Sequence, residues 1–205
     1  MKPLGTTGLI GRWKPLHLGG ALLLETVCKY SDHVKIGIGS CNKYNLRNPF
    51  TADESREMID QFLKPKYDHY EFILVPDFGQ IAEYSDGQMW RKYVVDHYKT
   101  LDNFVSGNDY VTELLKDDYH IIKSYEMIPT EFQIPIKASM IRMAMARGLN
   151  YEEMLPDAVA EYIRDNKLAA RFRREFGLEQ LAVIGNSCWN VDEKRDQEKS
   201  HVQER

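Results

Sequence analysis

The chain has 205 residues, a hydrophobic fraction of 43% and a formal net charge of −4, enough for one α/β domain with a modest C-terminal extension. The negative balance excludes bulk attraction to nucleic acid, so any anion site must be a local arrangement of cationic side chains. Cys28, Cys41 and Cys188 are scattered without a CxxC pair, against a disulfide framework or zinc site and in favour of a cytoplasmic setting. The chain shows no apolar run long enough for a bilayer and no signal-peptide pattern, so no membrane partner is expected.

Residues 5–10 predict a short first strand, and 18–30 a helix with Leu22, Leu23 and Val27 on one apolar face. "HVKIGIGS", 33–40, alternates and is β-branched, which predicts a second strand. A polar loop, 41–49, leads to a well-marked helix over 50–63, where Thr51 is an N-cap with Glu54 three residues on and Phe50 before it. "YEFILVPD", 70–77, predicts a third strand closed by Pro76, then a loop over 79–87 and a helix from Trp90 to 98. A short strand running into a turn is expected over 103–109, a helix over 110–116, a strand over 119–125, a helix ending at Gly148, and one or two helical segments around Pro156. The stretch 190–205 is dense in charge and poor in apolar residues, which predicts a mobile tail. Strands alternating with helices predict parallel βαβ units, with ligands outside the carboxyl ends of the strands. The loops 11–20, 40–50, 77–88, 106–109 and 136–142 should then gather at one edge.

The junction "GRWKPLHLGG", 11–20, concentrates unusual residues where the first strand meets the first helix. A helix N-terminus presents free N–H groups and the positive end of the helix dipole, and so favours anions. Gly19 lets backbone approach closely, His17 can donate a hydrogen bond, Arg12 and Lys14 supply charge, and Pro15 stiffens the turn. The stretch resembles the His-x-Gly-His phosphate-binding signature of the nucleotidylyltransferases.

Four further blocks, all in order, sharpen the resemblance to the nicotinamide mononucleotide adenylyltransferases of archaeal type: "IGS" with "LRNPFTADE" (38–40, 46–54), "VPD" (75–77) with Trp90, "VSGND" (105–109), and "SMIR" (139–142). Taken alone, Arg47 reads as a loop cation in solvent, Trp90 equally well as a core side chain, and Ser139 and Arg142 as an N-cap and a surface arginine. The resemblance runs from about residue 8 to about residue 164.

It implies a Rossmann-like, doubly wound parallel sheet over residues 1–165 with a helical C-terminal extension over 166–189. It also implies Mg²⁺-dependent transfer of AMP from ATP to nicotinamide mononucleotide, giving NAD and pyrophosphate. In that reading His17, Arg47 and Arg142 carry the catalytic charge. Gly11, Arg12, Lys14, Gly19, Gly20, Ser40, Ser106, Gly107, Asn108 and Ser139 join His17 and Arg142 at ATP, with Ser139 also capping its helix. Asp77 and Trp90 meet the acceptor, Trp90 by stacking on the nicotinamide ring. No side chain is expected to ligate the metal, which phosphate oxygens and water would hold. Oligomeric state is open, a homo-oligomer included.

The sequence departs from the family at several points. The second motif histidine is replaced by Gly20, the usual phenylalanine and glutamine by Trp13 and Lys14, and an asparagine by Gly87; Lys137 and Ala138 stand where Ser and Gly are usual. These departures keep two alternatives open, a nucleotidylyltransferase with another acceptor or CTP, and a non-catalytic nucleotide-binding regulator. They also suggest Lys14 as a partial substitute for the lost histidine.

Overall fold

A computed structural model describes residues 3–79 and 81–189, with side chains followed to residue 183. The expected charged tail, 190–205, lies outside the described residues. Five strands, β1 (Thr6–Gly11), β2 (His33–Gly39), β3 (Tyr70–Val75), β4 (Asn103–Ser106) and β5 (Ile121–Lys123), form one sheet in the order β3-β2-β1-β4-β5, with every pairing parallel. The order reverses between β1 and β4. That makes the carboxyl ends of these two strands the switch point at which such sheets bind ligands. The doubly wound arrangement is the one expected.

Neighbouring side chains on a strand point to opposite faces, and β4 shows the consequence. Val105 faces a large core with Leu9, Val34 and Ile36, while Phe104 faces a smaller one with Val75. The large core receives α1 (Leu18–Tyr30), α2 (Ala52–Leu63), α6 (Ala138–Arg147), α7 (Asp157–Asp165) and α8 (Leu168–Trp189). The smaller one receives α3 (Gln88–Tyr98) and α4 (Asp109–Leu115). A short helix, α5 (Ser124–Met127), follows β5 directly. The strand expected over 119–125 is therefore only three residues long, because the chain turns into α5 at Ser124.

Helix α1 buries Gly20, Ala21, Leu24, Val27 and Cys28, leaving Leu22 and Leu23 only partly covered. The buried set, spaced by three and four, is the core stripe; the run of leucines overlaps its edge. Thr51 and Glu54 form the expected capping box, each side chain bonded to the other's backbone N–H. Gly148 ends α6 in the left-handed region, φ 69°. Helix α8 seats Leu168, Ala169 and Phe172 in the large core and packs along α6. Among the described residues no helix is long and apolar enough to cross a membrane.

Candidate active site

The carboxyl ends of β1, β2, β3 and β4 open onto a cleft of two joined cavities. One, about 410 Å³, is walled by Ser40, Asp77, Trp90 and the 106–108 turn. The other, about 950 Å³, lies between the start of α1, with His17, and the start of α6, with Ser139 and Arg142. Gly11, Arg12, Asn45 and Arg47 line both. All five loops expected to converge do so.

His17 is the N-cap of α1, its Nδ1 accepting the Gly20 N–H at 3.1 Å. A backbone N–H can only donate, so Nδ1 carries no proton and Nε2–H is the donor left for the cavity. Burial lowers the His17 pKa and favours the same neutral form. His17 thus caps the helix while lining the larger cavity.

Helix α6 begins at Ala138 with Lys137 as N-cap and no side-chain cap. Ser139 therefore does not cap it, contrary to the sequence reading, because it already sits inside the first turn. The uncapped N-terminus is left facing the cavity, which suits an anion. Arg142, one turn on, donates from one terminal nitrogen to the Lys14 carbonyl at 3.0 Å. Its Nε is buried with no hydrogen-bond partner among the described residues. Burial first, then the nearby guanidinium groups of Arg12 and Arg47, push its pKa down to about 10. A half-buried arginine crowded by two others is a standing cost that a multivalent anion would relieve.

Lys14 is only 1% exposed, and its Nζ donates to the Ser40 carbonyl at 2.8 Å. It lines the larger cavity but is anchored to the β2 loop, so it is no free replacement for the missing histidine. Burial is the main cause of a pKa lowered to about 8; Arg12 lowers it further and Cys41 opposes. Anion binding favours the charged form, so the Lys14 contribution to affinity is full below pH 8 and fades above it. The dissociation constant for inorganic triphosphate is expected to rise above pH 8 by up to about tenfold per unit more in wild type than in Lys14→Met. Calorimetry at pH 7, 8 and 9 checks this; parallel curves for the two proteins would remove Lys14 from the anion field.

Gly19 and Gly20 line neither cavity. A Cβ at Gly19 would stand 2.7 Å from the Ile134 carbonyl oxygen, so this glycine makes room for the chain leading into α6. Trp13 and Ser40 both hold positive φ, 53°, at the ends of β1 and β2. Such conformations cost roughly 1–3 kcal/mol each and cluster at functional sites. The Ser40 hydroxyl lies 3.4 Å from an Asp77 carboxylate oxygen, while the Asp77 backbone exchanges hydrogen bonds with the Asn42 side chain. Asp77 therefore fixes the rim as well as lining it. Asn108 spends its side-chain oxygen capping α4, and buried Ser106 bonds within the same turn. Trp90 packs partly against the small core and also walls the smaller cavity.

Sequence reasoning missed Lys43, Asn45, Tyr84 and Tyr110 in the smaller cavity, and Glu179, Gln180 and Val183 in the larger one. Asn45 had a local signal: in "NLRN" its side-chain oxygen accepts the backbone N–H groups of Arg47 and Asn48, both at 3.1 Å. The α8 residues had none.

Residues 9–144 match the cytidylyltransferase-like family. The chain belongs to that family. It is 33% identical to a nicotinamide-nucleotide adenylyltransferase of Thermococcus kodakarensis over 80% of this chain and 85% of that protein. It is 31% identical to one of Thermococcus onnurineus, over 90% and 91%. The fold is similar to that of a bifunctional NMN adenylyltransferase/ADP ribose pyrophosphatase of Francisella tularensis, solved with AMP and a manganese ion. That match has a TM-score of 0.65 at 19% identity and covers 92% of this chain and 56% of that one. The archaeal resemblance read from the motifs is thereby borne out.

Proposed function

We propose that this chain transfers the adenylyl group of ATP to nicotinamide mononucleotide, giving NAD and pyrophosphate. The observation that carries the reading is the meeting of two cavities of unlike chemistry at Arg12 and Arg47. The arginine-rich one, between two helix N-termini, suits a triphosphate. The other, with an indole wall, suits an aromatic base. The named activity of the archaeal relatives supports the same assignment.

An oxygen of the acceptor phosphate attacks the α-phosphorus, the bond to the β-phosphate bridging oxygen breaks, and pyrophosphate leaves. The acceptor phosphate is already ionised near neutrality, so no strong general base is needed. Catalysis is then alignment plus charge stabilisation. His17 Nε2–H, Arg47 and Arg142 supply the charge and donors, with Arg12, Gly11, Ser40 and Ser139 beside them. The Ser106–Gly107–Asn108 turn and Asp77 shape the nucleoside side.

A divalent ion, here Mg²⁺, fits as a passenger of the triphosphate. The ion would be held by phosphate oxygens and water, with the arginine-rich lining around them. Held there, it would supply neutralisation of charge on the leaving pyrophosphate. Glu179 is the one acidic side chain among the described residues lining that cavity.

The test is product analysis with ATP and Mg²⁺ offered together with nicotinamide mononucleotide, nicotinate mononucleotide or no acceptor, and with CTP in place of ATP. Equal amounts of NAD and pyrophosphate are expected. ATP binding with no product would favour a regulatory protein, and a different adenylylated product another acceptor. Trp90→Ala is expected to weaken acceptor binding several-fold and ATP binding little, since an aromatic pair contributes roughly 0.5–1.5 kcal/mol beyond area burial. Titration of both ligands checks this; equal losses with a lowered Tm would return Trp90 to a purely core role.

A further inference from the structure

The loop that carries Arg47 is gripped at both ends by α8. At its near end the Tyr44 hydroxyl donates to Glu175, and the Tyr44 ring meets Phe176 edge-on at 5.4 Å with the Arg171 guanidinium 5.8 Å away. At its far end Arg171 donates to the Pro49 carbonyl at 3.1 Å and forks onto Glu54, one arm to Oε1 and the other to Oε2 at 2.7 Å. Glu54 is the capping-box residue of α2 that also accepts the Thr51 N–H at 2.9 Å. One carboxylate therefore joins the loop's exit, a helix cap and α8. Between the two grips, Asn45 holds the turn itself, so Arg47 sits on a short span fixed from outside.

Helix α8 also governs the opposite wall. It packs along α6, which carries Arg142, and the Arg173 Nε donates to the Met145 carbonyl at 3.2 Å. Farther along, Glu179, Gln180 and Val183 line the same cavity. The loop that carries Arg47 and the helix that carries Arg142 are thus both held by α8.

We infer that Arg171 is a positioning residue for adenylyl transfer, acting through Arg47, and that α8 is a clamp that sets the width of the triphosphate cavity. This rests on the proposed function insofar as Arg47 is taken to face phosphate. A bidentate fork suits the role, because it fixes angle as well as distance where a lysine contact would fix distance alone. A displacement of Arg47 of the order of 1 Å is enough to matter for aligned phosphoryl chemistry.

The experiment is a double-mutant cycle on the full chain, with wild type, Arg171→Ala, Arg47→Ala and the double variant. Inorganic triphosphate binding is read by calorimetry, NAD formation by steady-state kinetics, and Tm alongside. Arg171→Ala is expected to weaken triphosphate binding about tenfold in the wild-type background and not at all in the Arg47→Ala background. Arg171→Lys is expected to recover Tm but only part of the affinity. Equal losses in both backgrounds, or a lowered Tm with unchanged affinity, would overturn the clamp. Should Arg171→Ala not fold, Arg171→Lys and Tyr44→Phe replace it in the same cycle with smaller losses and the same non-additivity expected. Non-additive triphosphate binding without NAD formation would sink the proposed reaction and leave the clamp standing. Normal NAD formation with Arg47→Ala binding triphosphate as well as wild type would do the reverse.

Discussion

Replacing Arg142 with alanine is expected to lower kcat/KM for adenylyl transfer by ten- to a hundredfold and to leave acceptor binding nearly unchanged. A hydrogen bond to a charged group contributes about 1.5–3 kcal/mol, and each 1.4 kcal/mol is a factor of ten. Arg142 lines only the larger cavity, so the loss should fall on the triphosphate side. The structure adds an effect on stability that the motif alone does not suggest. Arg142 is half-buried, crowded by Arg12 and Arg47, and has a buried Nε without a partner among the described residues, while a terminal nitrogen donates to the Lys14 carbonyl. Removing a charge held at such cost should leave Tm of the free protein unchanged or raise it, even as activity collapses. Excess triphosphate should then stabilise wild type much more than the variant, because ligand binding adds stability only in proportion to affinity. Kinetics and thermal melts with and without triphosphate check both halves. Unchanged kcat/KM, or a large fall in Tm without ligand, would make Arg142 a structural residue.

Much of this site is legible in the sequence because it is built from local devices. The capping box at Thr51 and Glu54, the Gly148 stop and the close of β3 before Pro76 are each set by residues within four positions of one another. The gathering of five loops at one edge follows from parallel topology. What stayed hidden depends on distant contacts. Lys14 reads as a free cation until its Nζ is seen on the Ser40 carbonyl, 26 residues on. Ser139 reads as a cap because Ser is a good one, yet the chain enters α6 two residues earlier. The grip of α8 is illegible for the same reason. Arg171 meets Glu54 across 117 positions, and nothing near either residue announces the other. Gly19 shows a milder form of the problem: the sequence reads it as making room for a ligand, whereas the backbone it accommodates is that of residue 134.

Gly20→His alone is expected to lower both Tm and rate, whereas Gly20→His combined with Trp13→Phe is expected to recover Tm and raise kcat about tenfold above wild type. The sequence suggests a simpler outcome, a histidine restored to its usual place and a faster enzyme. The structure shows what occupies that place. A Cβ on Gly20 would stand 3.4 Å from Leu16 Cδ1 and 3.4 Å from Trp13 Cζ3, so a methyl group would just fit and an imidazole would meet the indole. The indole has nowhere to retreat. Its Nε1–H donates to the Gly37 carbonyl at 2.8 Å, and the adjoining Cε2 and Cζ2 lie so close to Gly11 that a Cβ there would be 2.5 Å from them. Forcing a ring into this space is overpacking, at a cost of typically 1–3 kcal/mol. Phenylalanine at position 13 removes the indole's second ring and opens the route. The Gly20 N–H can still cap onto His17 Nδ1, since that bond is to backbone. A second imidazole then adds a donor at the edge of the triphosphate cavity, and about 1.5 kcal/mol of added transition-state stabilisation corresponds to the tenfold gain. Glycine at 20 and tryptophan at 13 are in this account one exchange rather than two. Steady-state NAD formation and Tm for wild type, both single variants and the double variant decide it. A faster, equally stable Gly20→His would show that Trp13 does not guard the site. A double variant no faster than wild type would show that Trp13, already at the cavity wall, supplies by shape what the histidine would have supplied by charge.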